Sequence, residues 1–179
     1  MKKILYVWVV VMLLSVVAAA QTSEKYTFVF KLHEQTRRYE VNITERQDTI
    51  QFEWAILRNS DWQQGCYKMG HRNVEEGDGL SWLQPVDGSK VVLLAGETFG
   101  LISRKALKSL KEKGWFVYNE TTYRRTESEV ADLQEFKDKK LIHVLADVDP
   151  TNMWIVDSEA LPLIYKVNDN PLGIDWNVE

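Results

Sequence analysis

Apolar and polar residues alternate with a period of two along the stretch from Tyr26 to Leu57. Tyr26, Phe28, Phe30 and Leu32 interleave with Thr27, Val29 and Lys31, and Tyr39, Val41 and Ile43 repeat the pattern. In the segment Thr49–Leu57, Ile50, Phe52, Trp54 and Ile56 fall on one side and Thr49, Gln51, Glu53 and Ala55 on the other. Successive side chains of an extended chain point to opposite faces, so each segment predicts a strand with one apolar face and one wet face. A wet face belongs to an antiparallel sheet, because parallel sheets are covered on both sides.

The pattern then becomes irregular. Residues 59–64 are polar and read as a loop, and a short apolar run follows before Gly70. The segment from His71 to Gly88 is rich in Gly, Asp and Pro and predicts a long connection, with Trp82 and Leu83 tucked into the core. Val91–Ala95 predicts a buried strand. Ser103 then opens a helix as its N-cap, Ala106, Leu107 and Leu110 share one face, and Gly114 sits where a left-handed C-cap belongs. The other face, with Arg104, Lys105, Lys108, Lys111 and Lys113, reads as a solvated surface; the alternative is a docking strip for an acidic partner or a phosphate.

Asn119-Glu120 separates two strand-like runs and predicts a two-residue hairpin turn. Residues 126–137 fit two structures, a helix opened by the capping box of Thr126 and Glu129 or a continued hairpin arm. The stretch from Leu141 to Trp176 predicts three strands. Ile142, Val144, Ala146 and Val148 mark the first, Met153 to Val156 the second and Leu161 to Val167 the third. Turns fall at Asp149-Pro150-Thr151-Asn152 and at Asn168-Asp169-Asn170-Pro171, and Ile174 and Trp176 tie down the end. The fold class expected is mainly β, an antiparallel sandwich or partly closed barrel with one or two short helices.

The first twenty residues have a different character. Lys2 and Lys3, an apolar core from Ile4 to Val17 and the small residues Ala18-Ala19-Ala20 form a secretory signal peptide, with Gln21 where a lipoprotein would need Cys. The apolar run is short for a spanning helix, which needs roughly twenty residues, so no membrane span is expected after cleavage. The expectation is a leader at 1–20 and a single β-rich domain at 21–179, periplasmic or secreted. Removing Lys2 and Lys3 with the leader takes the formal charge from −4 to −6. So acidic a chain, lacking a long basic block, is not expected to bind nucleic acid. Cys66 is the only cysteine, which excludes an intramolecular disulfide.

The closing order of strand, Asp-Pro turn, Trp154-Ile155-Val156-Asp157 strand and Leu161-Pro162-Leu163-Ile164 strand resembles small exported bacterial β-barrel domains of unassigned function. The resemblance covers about a fifth of the chain. It implies a periplasmic β domain and transfers no catalytic residue.

Candidate chemistry is sparse. His33-Glu34 begins like the zinc motif H-E-x-x-H, but Arg37 stands where the second His is required. Cys66, His71, Glu75 and Glu76 are ligand types without paired-ligand spacing, so Cys66 reads as a small hydrophobe and His71 as a polar loop residue. Asp147, Asp149 and Asn152 depart from a calcium loop, since Asn152 replaces its Gly and Ser158 its closing Glu. Asp149 reads more simply as the start of a turn. With His143, Asp147 and Asp149 are the best candidates for an acid–base set, the alternative for His143 being a solvent-facing strand position. No catalytic, metal or cofactor-binding residue is assigned, and no cofactor is expected. The function expected is non-catalytic binding of a small apolar or glycan-like ligand or of an envelope protein. The alternatives are an exported hydrolase using carboxylates and a histidine, and a structural envelope interaction protein. Exposed rings among Trp54, Trp62, Trp82, Trp115, Trp154 and Trp176 would mark a binding groove.

Overall fold

A computed structural model describes residues 22–32, 35–46, 48–126 and 135–179. The expected leader at 1–20 and the pair His33-Glu34 lie outside the described residues.

The alternating segments form an antiparallel meander of β1 (Thr22–Leu32), β2 (Gln35–Arg46), β3 (Thr49–Arg58) and β4 (Asp61–Gly70). Next come α1 (His71–Glu76), β5 (Gly79–Leu80), β6 (Lys90–Val92), β7 (Glu97–Thr98) and α2 (Arg104–Lys113). The hairpin β8 (Trp115–Tyr118) and β9 (Thr121–Arg125) leads to β10 (Glu135–Phe136) and β11 (Lys139–Ala146). The chain closes with β12 (Asn152–Val156), β13 (Ile164–Asn168) and β14 (Ile174–Val178).

One sheet takes in most of these strands, in the order β6-β4-β3-β2-β1-β14-β13-β12-β11-β9-β8, with β10 also on β11. Only β6 joins in parallel, and β5 and β7 form a separate small parallel pair. The sheet does not close, since β6 and β8 remain its edges. Its two halves share a single core, however. Phe28, Phe30, Phe52 and Tyr67 of the first half are buried in one cluster with Val144, Ile155, Val167 and Trp176 of the second and with Leu107 and Leu110 of α2. The sheet is therefore curled around that core, which is the expected mainly β, antiparallel architecture with two short helices.

The join between the halves is β14. It pairs with β1 at Phe30 and Trp176 and with β13 at Val167 and Trp176. Trp176 Nε1 donates to the Ile164 carbonyl at 3.1 Å. The expectation that Ile174 and Trp176 merely secure the chain end is thus too weak: they belong to a full strand.

Other expectations need correction. Residues 59–64 are not a loop, because Asn59 and Ser60 adopt positive φ values of 51° and 68° and make a two-residue turn, after which β4 starts at once. Its first residues are polar because this hairpin end projects into solvent. Val91–Ala95 is not a buried strand: β6 covers only Lys90–Val92, and Leu93 turns into the core while Val92 and Leu94 face the other way and are more than two-thirds exposed. The segment expected to be irregular begins with α1, held by Asn73, whose Nδ2 donates to the carbonyls of Leu94 and Glu97 at 2.8 Å each. Val148 is exposed because β11 ends at Ala146, and the third C-terminal strand starts at Ile164 rather than Leu161. Gln51, on the side of β3 taken to be wet, is buried. The choice between helix and hairpin arm for 126–137 falls mainly on 127–134, outside the described residues; the flanking β9 and β10 are extended.

The helix and its caps match expectation. Ser103 Oγ accepts from the Ala106 amide at 3.2 Å, and Gly114 sits at φ 81°. The Asn119-Glu120 turn has φ values of 49° and 63°, and Trp82 packs 5.6 Å from Trp176.

Candidate functional site

Strand register arranges the face of β1–β4 that is turned away from the core into rows. One row runs Lys25, Asn42, Glu53, Cys66, Lys90 across β1, β2, β3, β4 and β6. The next runs Thr27, Glu40, Ala55, Gln64. Together they line an open groove of about 990 Å³.

The row is partly organised by hydrogen bonds. Asn42 Oδ1 accepts from Ser23 Oγ at 2.7 Å, and its Nδ2 reaches Glu53 Oε2 at 3.4 Å. Glu40, Glu53 and Gln64 are exposed, so most of their hydrogen-bonding capacity faces solvent. Gly65 lines the groove with its backbone, and on its other side a Cβ would lie closer than 3.0 Å to the Trp54 ring and the Ser89 carbonyl. Burial, and then the Glu53 carboxylate, raises the Cys66 thiol pKa. A thiol in that setting is a weak nucleophile.

The tryptophans divide clearly. Trp54, Trp154 and Trp176 are buried, Trp82 and Trp115 are half-buried, and Trp62 is 58% exposed. Trp62 lies two residues from Gln64 on the same side of β4, which places it roughly 7 Å beyond the groove row. Its register partner is Leu57, 56% exposed. An aromatic and an aliphatic side chain therefore flank one end of a polar groove.

The residues singled out from the sequence are placed apart from it. Asp147 Oδ1 accepts from the Thr122 amide of β9 at 3.3 Å, whereas Asp149 Oδ1 accepts from the Thr151 amide of its own turn at 2.8 Å, so the two carboxylates are engaged separately. His143 Nε2 lies 3.0 Å from Asn152 Oδ1. Its ring stacks on Trp154 with centroids 4.3 Å apart, and Lys166 Nζ lies 4.8 Å from the Trp154 ring centroid. His143 is thus neither at the sheet edge nor joined to the carboxylates. Burial, with a smaller contribution from Lys166, lowers its pKa against the opposing bond to Asn152. Ser158 is buried elsewhere and accepts from Lys139 Nζ at 3.0 Å.

His71 pairs with Glu75 at 3.4 Å and Glu76 with Arg72 at 3.5 Å, both within α1, while Cys66 stands in the groove row. Among the described residues no three ligand-type side chains converge. On α2, Arg104 departs from the solvated reading. It pairs with Glu75 and with Glu45 and donates to the carbonyls of Glu159 and Ala160 at 2.9 and 3.1 Å. Lys111 pairs with Asp157 at 3.1 Å.

Sequence reasoning missed the groove. Its residues run from Lys25 to Glu179, and their only local signal is that they occupy polar positions of alternating strands. Comparison with known proteins finds no matching family model, no similar curated protein and no similar solved structure.

Proposed function

We propose that this protein is an exported, non-catalytic binding domain whose outer groove takes a glycan-like ligand. The observation that carries the reading is the groove itself, whose amide and carboxylate side chains lie two strand residues from the exposed Trp62. Sugar hydroxyls hydrogen-bond to such groups, and the C–H face of a pyranose packs on an indole ring. The inside of the curled sheet favours no small apolar guest, because Phe28, Phe52 and Tyr67 fill it with at most 1% exposure. Asp147, Asp149 and His143 share no cleft, which favours binding over hydrolysis. The leader and the resemblance of the closing strands to exported β domains support a periplasmic or secreted setting.

Titration of the mature protein against a panel of oligosaccharides, followed by calorimetry and tryptophan fluorescence, tests the proposal. Trp62→Ala is expected to weaken glycan binding by about tenfold or more, the effect of losing one stacking contact of 1–3 kcal/mol. Glycan affinity that is unchanged in both Trp62→Ala and Glu53→Gln would remove the groove from binding.

A further inference from the structure

We infer that the groove takes a zwitterionic glycan, one whose sugars carry free amino groups as well as carboxylates. The inference rests on the glycan reading of the groove and adds the charge of the ligand.

Four exposed side chains that line the groove carry unpaired charge: Lys25 and Lys90 of one sign, Glu40 and Glu53 of the other. None of the four enters an ion pair among the described residues, and their one hydrogen bond is the long one of 3.4 Å from Asn42 Nδ2 to Glu53. Opposite charges elsewhere on the surface do meet. Arg38 pairs with Glu179, Arg104 with Glu45, Lys111 with Asp157 and Lys137 with Glu24.

Strand register keeps the groove charges apart. In one row Cys66 stands between Lys90 and Glu53, and Asn42 stands between Glu53 and Lys25. Neighbouring strands lie about 4.8 Å apart, so the backbone of Glu53 is roughly 10 Å from that of either lysine. In the next row Glu40 faces the neutral Thr27 and Ala55. The diagonal neighbours, Lys25 to Glu40 and Lys68 to Glu53, form no ion pair either. Alternation puts the whole row on the outer face, because the adjoining Tyr26, Val41, Trp54 and Tyr67 are buried on the other. Across five strands the row reads positive, neutral, negative, neutral, positive.

Cys66 registers both signs. Burial is the main cause of its raised thiol pKa, the Glu53 carboxylate adds to it, and Lys68, Lys90 and Arg46 oppose it. Carboxylate and ammonium groups thus act on the same point of the groove.

A ligand complementary to the row presents an anion to each lysine and a cation to Glu53. A neutral glycan leaves the four charges to water. A purely anionic glycan meets Glu40 and Glu53, and a purely cationic one meets Lys25 and Lys90. Amino sugars alternating with uronic acids satisfy both signs at once, and Trp62 remains free to stack on a ring.

Calorimetry of the mature protein with one oligosaccharide backbone in three charge states tests this: alternating glucosamine and glucuronic acid, its N-acetylated form and its carboxyl methyl ester. The zwitterionic form is expected to bind about tenfold tighter than either derivative at low salt, the sum of a few exposed charge contacts, with the difference shrinking as sodium chloride is added. Glu53→Gln is expected to close the gap to the N-acetylated form, and Lys25→Gln combined with Lys90→Gln the gap to the methyl ester. All three positions are exposed, and thermal melting checks that the variants fold. A zwitterionic form no tighter than the two derivatives, or gaps that survive the substitutions, overturns the charge inference; the groove reading stands if Trp62→Ala still weakens all three forms. Silence with all three forms also overturns the inference, and the groove reading then falls only if the wider oligosaccharide panel is silent too.

Discussion

His143 is the residue whose surroundings differ most from its sequence neighbourhood. Nothing near it in the chain announces a ring stacked on Trp154, an Asn152 amide on Nε2 and a buried Nδ1 with no hydrogen-bond partner among the described residues. Partners and stack come from β12, reached through the register of β11. Burial holds the imidazole below its ordinary pKa of 6.5, so the unfolded chain takes up a proton more readily than the folded one. The His143 contribution to stability is therefore present above about pH 6.5 and is lost as the pH falls toward the depressed folded value. His143→Phe keeps the stack and removes the titration, so its melting temperature is expected to fall less than that of the unaltered protein between about pH 7.5 and 5. Equal falls in scanning calorimetry would exclude His143 as a source of the pH dependence. At the same scale, the turn role of Asp149 was legible in the sequence, because an Asp side chain reaching the amide two residues on is a local bond.

At the scale of elements, α2 was readable because all its signals are local. Ser103 lies three residues from the amide it caps, and Gly114 supplies the left-handed residue at the other end. The tertiary structure adds a second bond, since Ser103 Oγ also donates to the Gly77 carbonyl at 2.6 Å in a fully buried position. Ser103→Ala loses the cap and leaves that carbonyl without its donor, so a destabilisation of about 2 kcal/mol is expected in urea unfolding. A loss under about 0.5 kcal/mol, the size of an ordinary surface change, would mean that neither bond matters. The β6 segment shows the opposite case. Five apolar residues predict burial, but burial needs a layer packed over the face, and here Leu93 meets the core while Val92 and Leu94 face solvent. The polar start of β4 is a related case: residues at a projecting hairpin end are strand by hydrogen bonding and loop-like by composition.

For the whole molecule, the decisive element is β14. It hydrogen-bonds β1 on one side and β13 on the other, and it brings Trp176 against Phe30 and Trp82. Removing residues 174–179 takes away that seam and uncovers the aromatic centre of the core. The truncated chain is expected to lose its cooperative thermal transition and its near-ultraviolet circular dichroism; retention of both would show that the two half-sheets are stable apart. The seam also shapes the candidate site, because Glu179 beyond β14 lines the groove and pairs with Arg38 of β2.

Alternation and local turn and cap signals determined most of β1 to β3, the capped helix α2 and the Asn119-Glu120 turn, since each depends on residues within a few positions of one another. The antiparallel character followed as well, from polar positions alternating with apolar ones. Tertiary structure decided which strands became neighbours, which became edges, and which side chains line the groove. Lys25 and Lys90 enter one row, and Arg38 meets Glu179, through pairing between distant segments. Alternation tells each strand which way its side chains point; long-range hydrogen-bond register tells it what stands beside them.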